Sequence, residues 1–319
     1  MKLELRNIKK NFGEKEILHG INFSVESGKA LGLLGRNGAG KTTTIRIIMD
    51  VFHSSSGEVL LDGKKLLPSG NRFGYLPEER GMYPKKLVKE QLVYMALLRG
   101  MKKKDASASA EKWLDRLGVS EYKDRKLDTL SKGNQQKVQL AATLVGEPDI
   151  VILDEPFSGL DPVNSQILKD VIKELIEEGR IVIFSSHQMS YVEEFCEDIV
   201  MIDKGSIVLS GNLDEIKEEY GKGRKIVSAN NMDADALKTL IENDFDDLVK
   251  VISSDKHKVV VEVKAGVDQW SLVDRLKEKN VDIKAYGNYE PSLTDIFIDK
   301  AGKAEEEIKD DSENNKEVE

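Results

Sequence analysis

The amino-acid sequence predicts an α/β domain built around a largely parallel β-sheet, followed by a smaller α+β domain. An apolar strand at residues 30–34 leads into a glycine-rich loop that opens a helix over residues 41–51. Two further apolar strands, at 150–153 and 181–185, alternate with segments of helical periodicity. This alternation is typical of a parallel sheet covered by helices. From residue 224 onward the order becomes strand, helix, strand, strand, helix, strand, which indicates a separate α+β unit.

The segments around the central strands predict two subdomains within the first domain. Residues 1–25 alternate apolar and polar side chains and are interrupted by a turn at 13–15, so we expect antiparallel strands there. Helical periodicity dominates residues 88–117, and another helix begins at Ser131. We therefore expect an antiparallel β subdomain and a helical subdomain, the latter at about residues 85–145.

The C-terminal part of the chain predicts a small ferredoxin-like domain and a tail. Residues 221–223 form the expected linker, so the domains are placed at 1–221 and 224–300. The expected strands are 224–229, 247–253, 258–264 and 281–287, and the expected helices are 232–243 and 267–279. This βαββαβ order is the ferredoxin-like plan. Residues 301–319 are acidic and almost free of large apolar side chains, which predicts a disordered tail.

The composition favours a protein of the cytosol. The chain has 319 residues, a hydrophobic fraction of 39% and a formal net charge of -9, so it can bury a core and has no overall positive charge to attract nucleic acid. Its single cysteine, Cys196, cannot form an internal disulfide and is expected to be a buried thiol. No apolar run approaches the roughly 18 residues of a membrane helix, and no signal-peptide core is present at the start. Trp113 and Trp270 lie at apolar helical positions and are expected in the core.

Residues 35–42 fit the phosphate-binding P-loop pattern GxxxxGK[ST] at every fixed position. They lie between a strand and a helix, so the N–H groups of the loop and the positive end of the helix dipole can surround a phosphate. Lys41 is expected to reach the β- and γ-phosphates of a nucleotide, and the Thr42 hydroxyl is expected to bind Mg²⁺. The predicted nucleotide-binding residues of this segment are Gly35, Arg36, Asn37, Gly38, Ala39, Gly40, Lys41, Thr42 and Thr43.

The strand at 150–153 ends in two carboxylates, Asp154 and Glu155. In a parallel sheet, ligands gather at the carboxyl ends of the strands, so these side chains are expected beside the P-loop. Asp154 fits the role of holding Mg²⁺, and Glu155 can orient and deprotonate an attacking water. The pair predicts nucleotide hydrolysis as well as binding.

Several further motifs carry a resemblance to one family. Residues 130–137, Leu-Ser-Lys-Gly-Asn-Gln-Gln-Lys, resemble the signature of ATP-binding cassette (ABC) proteins, which usually reads LSGGQ followed by Gln and Arg. Residues 158–161 are similar to the D-loop of the same family, and His187 stands at the position of its switch histidine. Phe12 stands where the family places an aromatic side chain on the adenine ring. The order and spacing of these motifs match the family over roughly residues 1–220.

The resemblance implies a dimeric ATPase that works on membrane-spanning permease subunits. In the family, the signature of one subunit contacts the nucleotide on the P-loop of the other, which assigns Ser131, Gly133 and Asn134 to the nucleotide and His187 to catalysis. Glu78 stands where many members have a glutamine that touches Mg²⁺ and the attacking water, so it joins Thr42 and Asp154 as a predicted metal ligand. The implied cofactors are ATP and Mg²⁺. The implied place is the cytoplasmic face of the membrane, bound peripherally without direct insertion.

Residues 75–81 and the extra C-terminal domain resemble the sodium- and drug-export branch, whose ATPases pair with ABC-2-type permeases. By family position, residues 74–84 are expected to border the permease. The alternatives are a soluble ABC protein that acts on ribosomes or DNA, and a regulatory binder that scarcely hydrolyses nucleotide. The single P-loop and the lack of sustained heptads speak against the ribosomal and DNA-repair types. The transported substrate, the direction of transport and the choice between homodimer and heterodimer depend on partner subunits.

Overall fold

The computed structural model describes residues 1–66, 73–79, 81–158, 160–186 and 188–300. Two compact units follow one another along the chain, the first comprising Met1–Leu213 and the second beginning at Asp214. Helix α7 (Leu213–Gly221) therefore groups almost entirely with the second unit. The predicted domain boundary at 221–224 lies at the other end of this helix and stays a prediction. The tail at 301–319 lies outside the described residues.

The first unit contains an antiparallel sheet with the strand order β2-β1-β4-β5. Its strands are β1 (Lys2–Phe12), β2 (Lys15–Glu26), β4 (Ser56–Leu61) and β5 (Lys64–Lys65). The alternation of the sequence sets one apolar face, so Leu3 lies opposite Val25 on one side and Leu61 on the other. Leu3 is fully buried. The predicted antiparallel subdomain is confirmed.

The second sheet of this unit has the order β10-β9-β3-β8-β7-β6. Its strands are β3 (Ala30–Leu34), β6 (Phe73–Leu76), β7 (Ile150–Asp154), β8 (Ile181–Ser185), β9 (Asp198–Asp203) and β10 (Ser206–Asn212). All neighbouring pairs are parallel except β9 with β10. Strands β3, β7 and β8 are buried along their whole length, which their continuous apolar sequences require. The loop after β3 and the two carboxylates at the end of β7, Asp154 and Glu155, consequently lie at one edge of the sheet.

The helices of the first unit are α1 (Lys41–Ile48), α2 (Val88–Leu98), α3 (Lys103–Arg116), α4 (Lys132–Leu144), α5 (Pro162–Glu177) and α6 (Met189–Phe195). The helical pattern at 88–117 resolves into two helices, because the chain turns at 99–102, where Gly100 has a φ of 86°. Trp113 and Cys196 are buried, as predicted. None of the described helices is long and apolar enough to cross a membrane.

The second unit is a ferredoxin-like fold, as predicted. After α7 come β11 (Arg224–Ala229), α8 (Ala234–Asp244), β12 (Val249–Ser254), β13 (Val259–Val263), α9 (Ser271–Glu278) and β14 (Ile283–Asn288). The sheet order is β12-β13-β11-β14, with every pair antiparallel. The core prediction for Trp270 is wrong. Its side chain is 56% exposed, because it stands just before α9 and lies against the Tyr286 ring at 5.6 Å.

Candidate functional site

The glycine-rich loop between β3 and α1 has a backbone that side chains would disrupt. Gly35 has a φ of 150°, and a Cβ atom there would lie 2.2 Å from the backbone oxygen of Ile202. Gly40 has a φ of 115° and caps α1, and no described side chain caps the N–H groups of that first turn. Arg36, Asn37 and Gly38 are exposed at the loop tip, whereas Ala39 and Gly40 are buried at its base. Uncapped N–H groups above a tight loop fit a phosphate.

Lys41 folds back over this loop. Its Nζ atom donates hydrogen bonds to the backbone oxygens of Gly35 at 2.7 Å and Arg36 at 3.2 Å. Burial lowers the pKa of Lys41, and the negative charges of Glu155, Asp154 and Glu78 oppose that shift. An ammonium group held by the loop carbonyls, within electrostatic range of three carboxylates, can exchange its carbonyl partners for phosphate oxygens.

The three threonines that follow Lys41 differ in exposure. Thr42 is exposed at the start of α1 and Thr43 is half-buried beside it, whereas Thr44 is fully buried. The Thr44 hydroxyl donates to the Gly40 oxygen at 3.0 Å and is thus used inside the helix. Thr42 is the hydroxyl that the fold leaves at the mouth of the loop.

Asp154 ends strand β7 and is 6% exposed. Burial is the main cause that raises its pKa, and the charges of Glu155 and Glu78 raise it further. The Tyr75 hydroxyl donates to Asp154 Oδ2 at 3.3 Å, and burial together with Asp154 raises the pKa of Tyr75 to about 12. A buried carboxylate that repels its neighbours gains stability when a cation binds.

Glu155 follows directly in a strained conformation. It has a φ of 49° and is 8% exposed, a backbone state that costs a non-glycine residue about 1–3 kcal/mol. Its N–H donates to the Ser185 oxygen at 2.9 Å, and the Ser186 hydroxyl donates to its Oε2 atom at 3.2 Å. The end of β8 therefore fixes both the backbone and the carboxylate of Glu155.

Ser185, at the end of β8, has a buried hydroxyl without a hydrogen-bond partner among the described residues. It pairs with Asp154 in the β7–β8 register. The hydroxyl lies near enough to Asp154 to oppose the rise of its pKa, although it makes no hydrogen bond of ordinary geometry. Buried hydroxyls are rarely left unpaired in a complete site, so a ligand or its water shell fits here.

Glu78 lies on the loop after β6, which runs parallel to β7 with Leu76 opposite Leu153. Its side chain is exposed, and its charge acts on both Asp154 and Lys41. The described His, Cys, Asp and Glu side chains do not by themselves form a three-ligand metal cluster. Mg²⁺ commonly takes one or two carboxylates and completes its shell with waters and substrate phosphates. The oxygen donors of Thr42, Asp154 and Glu78 suit that arrangement.

The predicted signature residues lie at the N-terminus of α4. Ser131 caps this helix and its hydroxyl accepts from the Asn134 N–H at 3.3 Å. Gly133 packs closely against Asn164, since a Cβ atom there would lie 2.8 Å from Asn164 Nδ2. Ser131 is exposed, whereas Gly133 and Asn134 are half-buried, so the Ser131 hydroxyl lies at the exposed end of the helix.

Phe12 is 46% exposed at the end of β1. It meets Phe52 edge-on with ring centroids 5.4 Å apart, and Lys10 Nζ lies 4.8 Å from its centroid. The Arg46 guanidinium of α1 lies 5.4 Å from the Phe52 centroid, so these contacts place Phe12 beside the P-loop helix. His187 and the D-loop residue Gly159 lie outside the described residues, and their roles stay predictions.

The sequence reasoning missed Tyr75, Ser185, Ser186 and Gln139. Ser185 ends a central parallel strand and Ser186 follows it, and that position alone could have marked them. Tyr75 and Gln139 gave weaker signals. The sequence shows that Gln139 is a polar residue in the buried run 138–144 of α4. It does not show which groups Gln139 hydrogen-bonds.

Comparisons with known proteins identify the family of the chain. The sequence model of the ABC transporter family matches residues 18–158, and that of the C-terminal domain of DrrA1-3-like ATP-binding proteins matches 211–301. An uncharacterized ABC transporter ATP-binding protein of Bacillus subtilis, YhaQ, is 37% identical over 94% of this chain and 98% of its own. The linearmycin resistance ATP-binding protein LnrL of Bacillus subtilis is 34% identical over 69% of this chain and 72% of its own.

A solved ATP-binding subunit of an ABC transporter superposes with a TM-score of 0.65 and 28% identity, over 69% of this chain and 94% of its own. The chain belongs to the ATP-binding proteins of ABC transporters. A Nod factor export ATP-binding protein of Burkholderia lata is 32% identical over 66% of this chain and 70% of its own. The C-terminal match and the relatives named for resistance and export confirm the predicted ABC-2-type branch. The soluble ribosome- or DNA-associated alternative finds no support among these matches.

Proposed function

We propose that the chain hydrolyses Mg·ATP in a site shared by two ATP-binding subunits, and that closure and reopening of this dimer drive a separate permease at the cytoplasmic face of the membrane. The observation that carries the proposal is the cluster of Lys41, Asp154, Glu155 and Glu78 at the mouth of the glycine-rich loop. One cation and three carboxylates suit a metal-bound polyphosphate, in which positive and negative charges alternate.

In this proposal the loop N–H groups and Lys41 hold the β- and γ-phosphates. Mg²⁺, held through Thr42, Asp154 and Glu78, would supply the charge that offsets the phosphates. Glu155 accepts the proton of the attacking water, because its carboxylate is buried and fixed by Ser186. A positioned general base contributes about 10²–10⁴-fold to the rate.

The second subunit would complete the site from outside. The hydroxyl of Ser131 and the N–H groups at the start of α4 are suited to a γ-phosphate, and the exposure of Ser131 supports a ligand from another molecule. His187 would add a hydrogen bond to that phosphate. The partner is a second copy of this chain or a homologous subunit.

The permease is proposed to dock on the predicted segment 74–84 and on α2, the helix that follows it. Tyr94, Leu97 and Leu98 are exposed apolar side chains on this helix, and Tyr83 on the preceding loop is 61% exposed. An exposed group of large apolar side chains marks an interaction surface. The relatives named for resistance and export suggest that the transported compound leaves the cell.

The test of this function is Glu155→Gln, which keeps the shape of the side chain and removes the base. We expect ATP binding to persist, hydrolysis to fall by about 10²-fold or more, and an ATP-bound dimer to accumulate in size-exclusion chromatography. Glu177→Gln, the same change at an exposed position of α5, is the control and should hydrolyse normally. Near-normal turnover in Glu155→Gln would refute the assignment, and a wild-type protein that binds but does not hydrolyse ATP would favour the regulatory binder.

A further inference from the structure

Helix α4 makes side-chain hydrogen bonds to the loop that carries Glu78. The Gln139 Nε2 atom donates to the backbone oxygens of Pro77 at 3.4 Å and Glu79 at 3.2 Å, the two residues on either side of Glu78. Gln139 is 5% exposed, so its amide is removed from solvent and aimed at this loop. One side chain thus fixes the backbone on both flanks of the predicted metal ligand.

A second contact makes the same connection one turn further along α4. The Thr143 hydroxyl lies 3.1 Å from both the Tyr75 oxygen and the Gln139 oxygen of its own helix, and donates its one proton between them. Gly74 allows this close approach, since a Cβ atom there would lie 2.7 Å from the backbone oxygen of Thr143. Side-chain hydrogen bonds and close backbone packing therefore join the helix to the end of β6 and the loop after it.

The other end of α4 is the surface expected to meet the partner's nucleotide. Ser131 caps the helix, and Gln139 lies eight positions later, or about 12 Å along the axis at 1.5 Å per residue. In the proposed dimer, α4 would thus begin at one nucleotide site and contact the loop that carries the predicted metal ligand of the other.

We propose that Gln139 is a positioning residue that sets Glu78 and transmits movements of α4 to it. The inference rests on the proposed function, because it assumes that Glu78 faces the metal. A buried glutamine that merely stabilised the fold would make the same two hydrogen bonds. The effect of a merely stabilising glutamine on metal binding would, however, not depend on Glu78.

The test is Gln139→Met, which keeps the length of the side chain and removes the donor. Gln91→Met is the matched control. Gln91 is a buried glutamine, 4% exposed, that donates to the Lys86 oxygen at 3.1 Å and accepts from the Tyr83 N–H at 2.8 Å. Gln139→Asn, which retains the amide on a shorter side chain, serves if the methionine variant does not fold by circular dichroism.

Two measurements besides hydrolysis separate positioning from stability. In the nucleotide-free protein, Gln139→Met should speed amide hydrogen exchange at residues 78–79, whereas Gln91→Met should not. In the ATP-bound Glu155→Gln background, Gln139→Met should weaken Mn²⁺ binding, followed by electron paramagnetic resonance, by about 10-fold, as loss of an outer-shell partner does. Glu78→Ala should weaken it as well, and adding Gln139→Met to Glu78→Ala should weaken it no further.

Full additivity of the two changes would overturn the inference, because Gln139 would then act without Glu78. Unchanged Mn²⁺ binding in Gln139→Met with weakened binding in Glu78→Ala would overturn it too, while leaving Glu78 in the site. Unchanged Mn²⁺ binding in Glu78→Ala would instead remove Glu78 from the site and the inference with it. A wild-type protein that does not bind or hydrolyse ATP would instead contradict the proposed function itself.

Discussion

Replacing Arg99 by methionine is expected to destabilise the first unit by about 2 kcal/mol. Arg99 follows α2, and its Nη1 atom donates to the backbone oxygens of Ala142 and Thr143, both at 2.9 Å. These are carbonyls of the last turn of α4, which have no partner within the helix. A cation at this position also interacts favourably with the helix dipole.

The magnitude follows from two opposing terms. Hydrogen bonds that involve a charged group contribute about 1.5–3 kcal/mol each. Burial lowers the pKa of Arg99, which shows that desolvation of the guanidinium offsets part of this gain. Methionine retains much of the apolar stem that packs on Gly146, where a Cβ atom would lie 2.5 Å from Arg99 Cδ. The free energy lost in Arg99→Met therefore comes from the polar contacts. It equals about one strong hydrogen bond once the desolvation cost of the guanidinium is subtracted.

The assay is urea unfolding followed by tryptophan fluorescence. The chain has two tryptophans, Trp113 buried in the first unit and Trp270 exposed in the second, so a Trp270→Phe background reports on the first unit alone. Arg116→Met is the matched control, because Arg116 pairs with Glu174 at a partly exposed site. Such pairs contribute about 0–1 kcal/mol. Equal free energies of unfolding for the two variants would refute the reasoning.

Two further predictions concern the site. The raised pKa of Asp154 means that its ionised form opposes folding of the nucleotide-free protein at pH values above the ordinary carboxyl range. Asp154→Asn should therefore melt at a higher temperature than wild type at pH 8, with a difference that shrinks as the pH falls towards about 4; an equal or lower midpoint at pH 8 would contradict this. Phe12→Ala should weaken ATP binding about 3- to 10-fold through loss of stacking, and Phe12→Trp should restore it. Titration calorimetry in the Glu155→Gln background measures both, and unchanged affinity in Phe12→Ala would place Phe12 outside the adenine site.

The central sheet could be predicted from the sequence because its buried strands are continuous apolar runs. Strand β3 occupies the predicted residues, and β7 extends the predicted strand by Asp154 alone. Since parallel strands place their carboxyl ends at one edge, the proximity of Lys41, Asp154 and Glu155 followed from motif order. The C-terminal strands were also predictable, because their alternation is bounded by turns and separated by helical segments.

What the sequence could not supply are contacts between residues distant along the chain. Gln139 holds the Glu79 oxygen across 60 positions, and Arg99 reaches Thr143 across 44. No local pattern encodes such a pairing. Trp270 shows a different limit, since an apolar residue beside a helix pattern can stand just before the helix and remain exposed. His187 and the acidic tail lie outside the described residues and stay predictions.

The most direct test of the shared site is a mixture of two inactive variants, Lys41→Ala and Ser131→Arg. Each pure dimer has both of its sites damaged, whereas a mixed dimer contains one site with both elements intact and one with neither. Random pairing at equal amounts should restore about a quarter of the wild-type ATPase rate if this chain forms a symmetric dimer. Native mass spectrometry would count the mixed dimers and the nucleotides bound to them. A mixture that stays inactive, although mixed dimers form and the intact site holds ATP, would contradict the proposal that one subunit's signature helix completes the other subunit's nucleotide site.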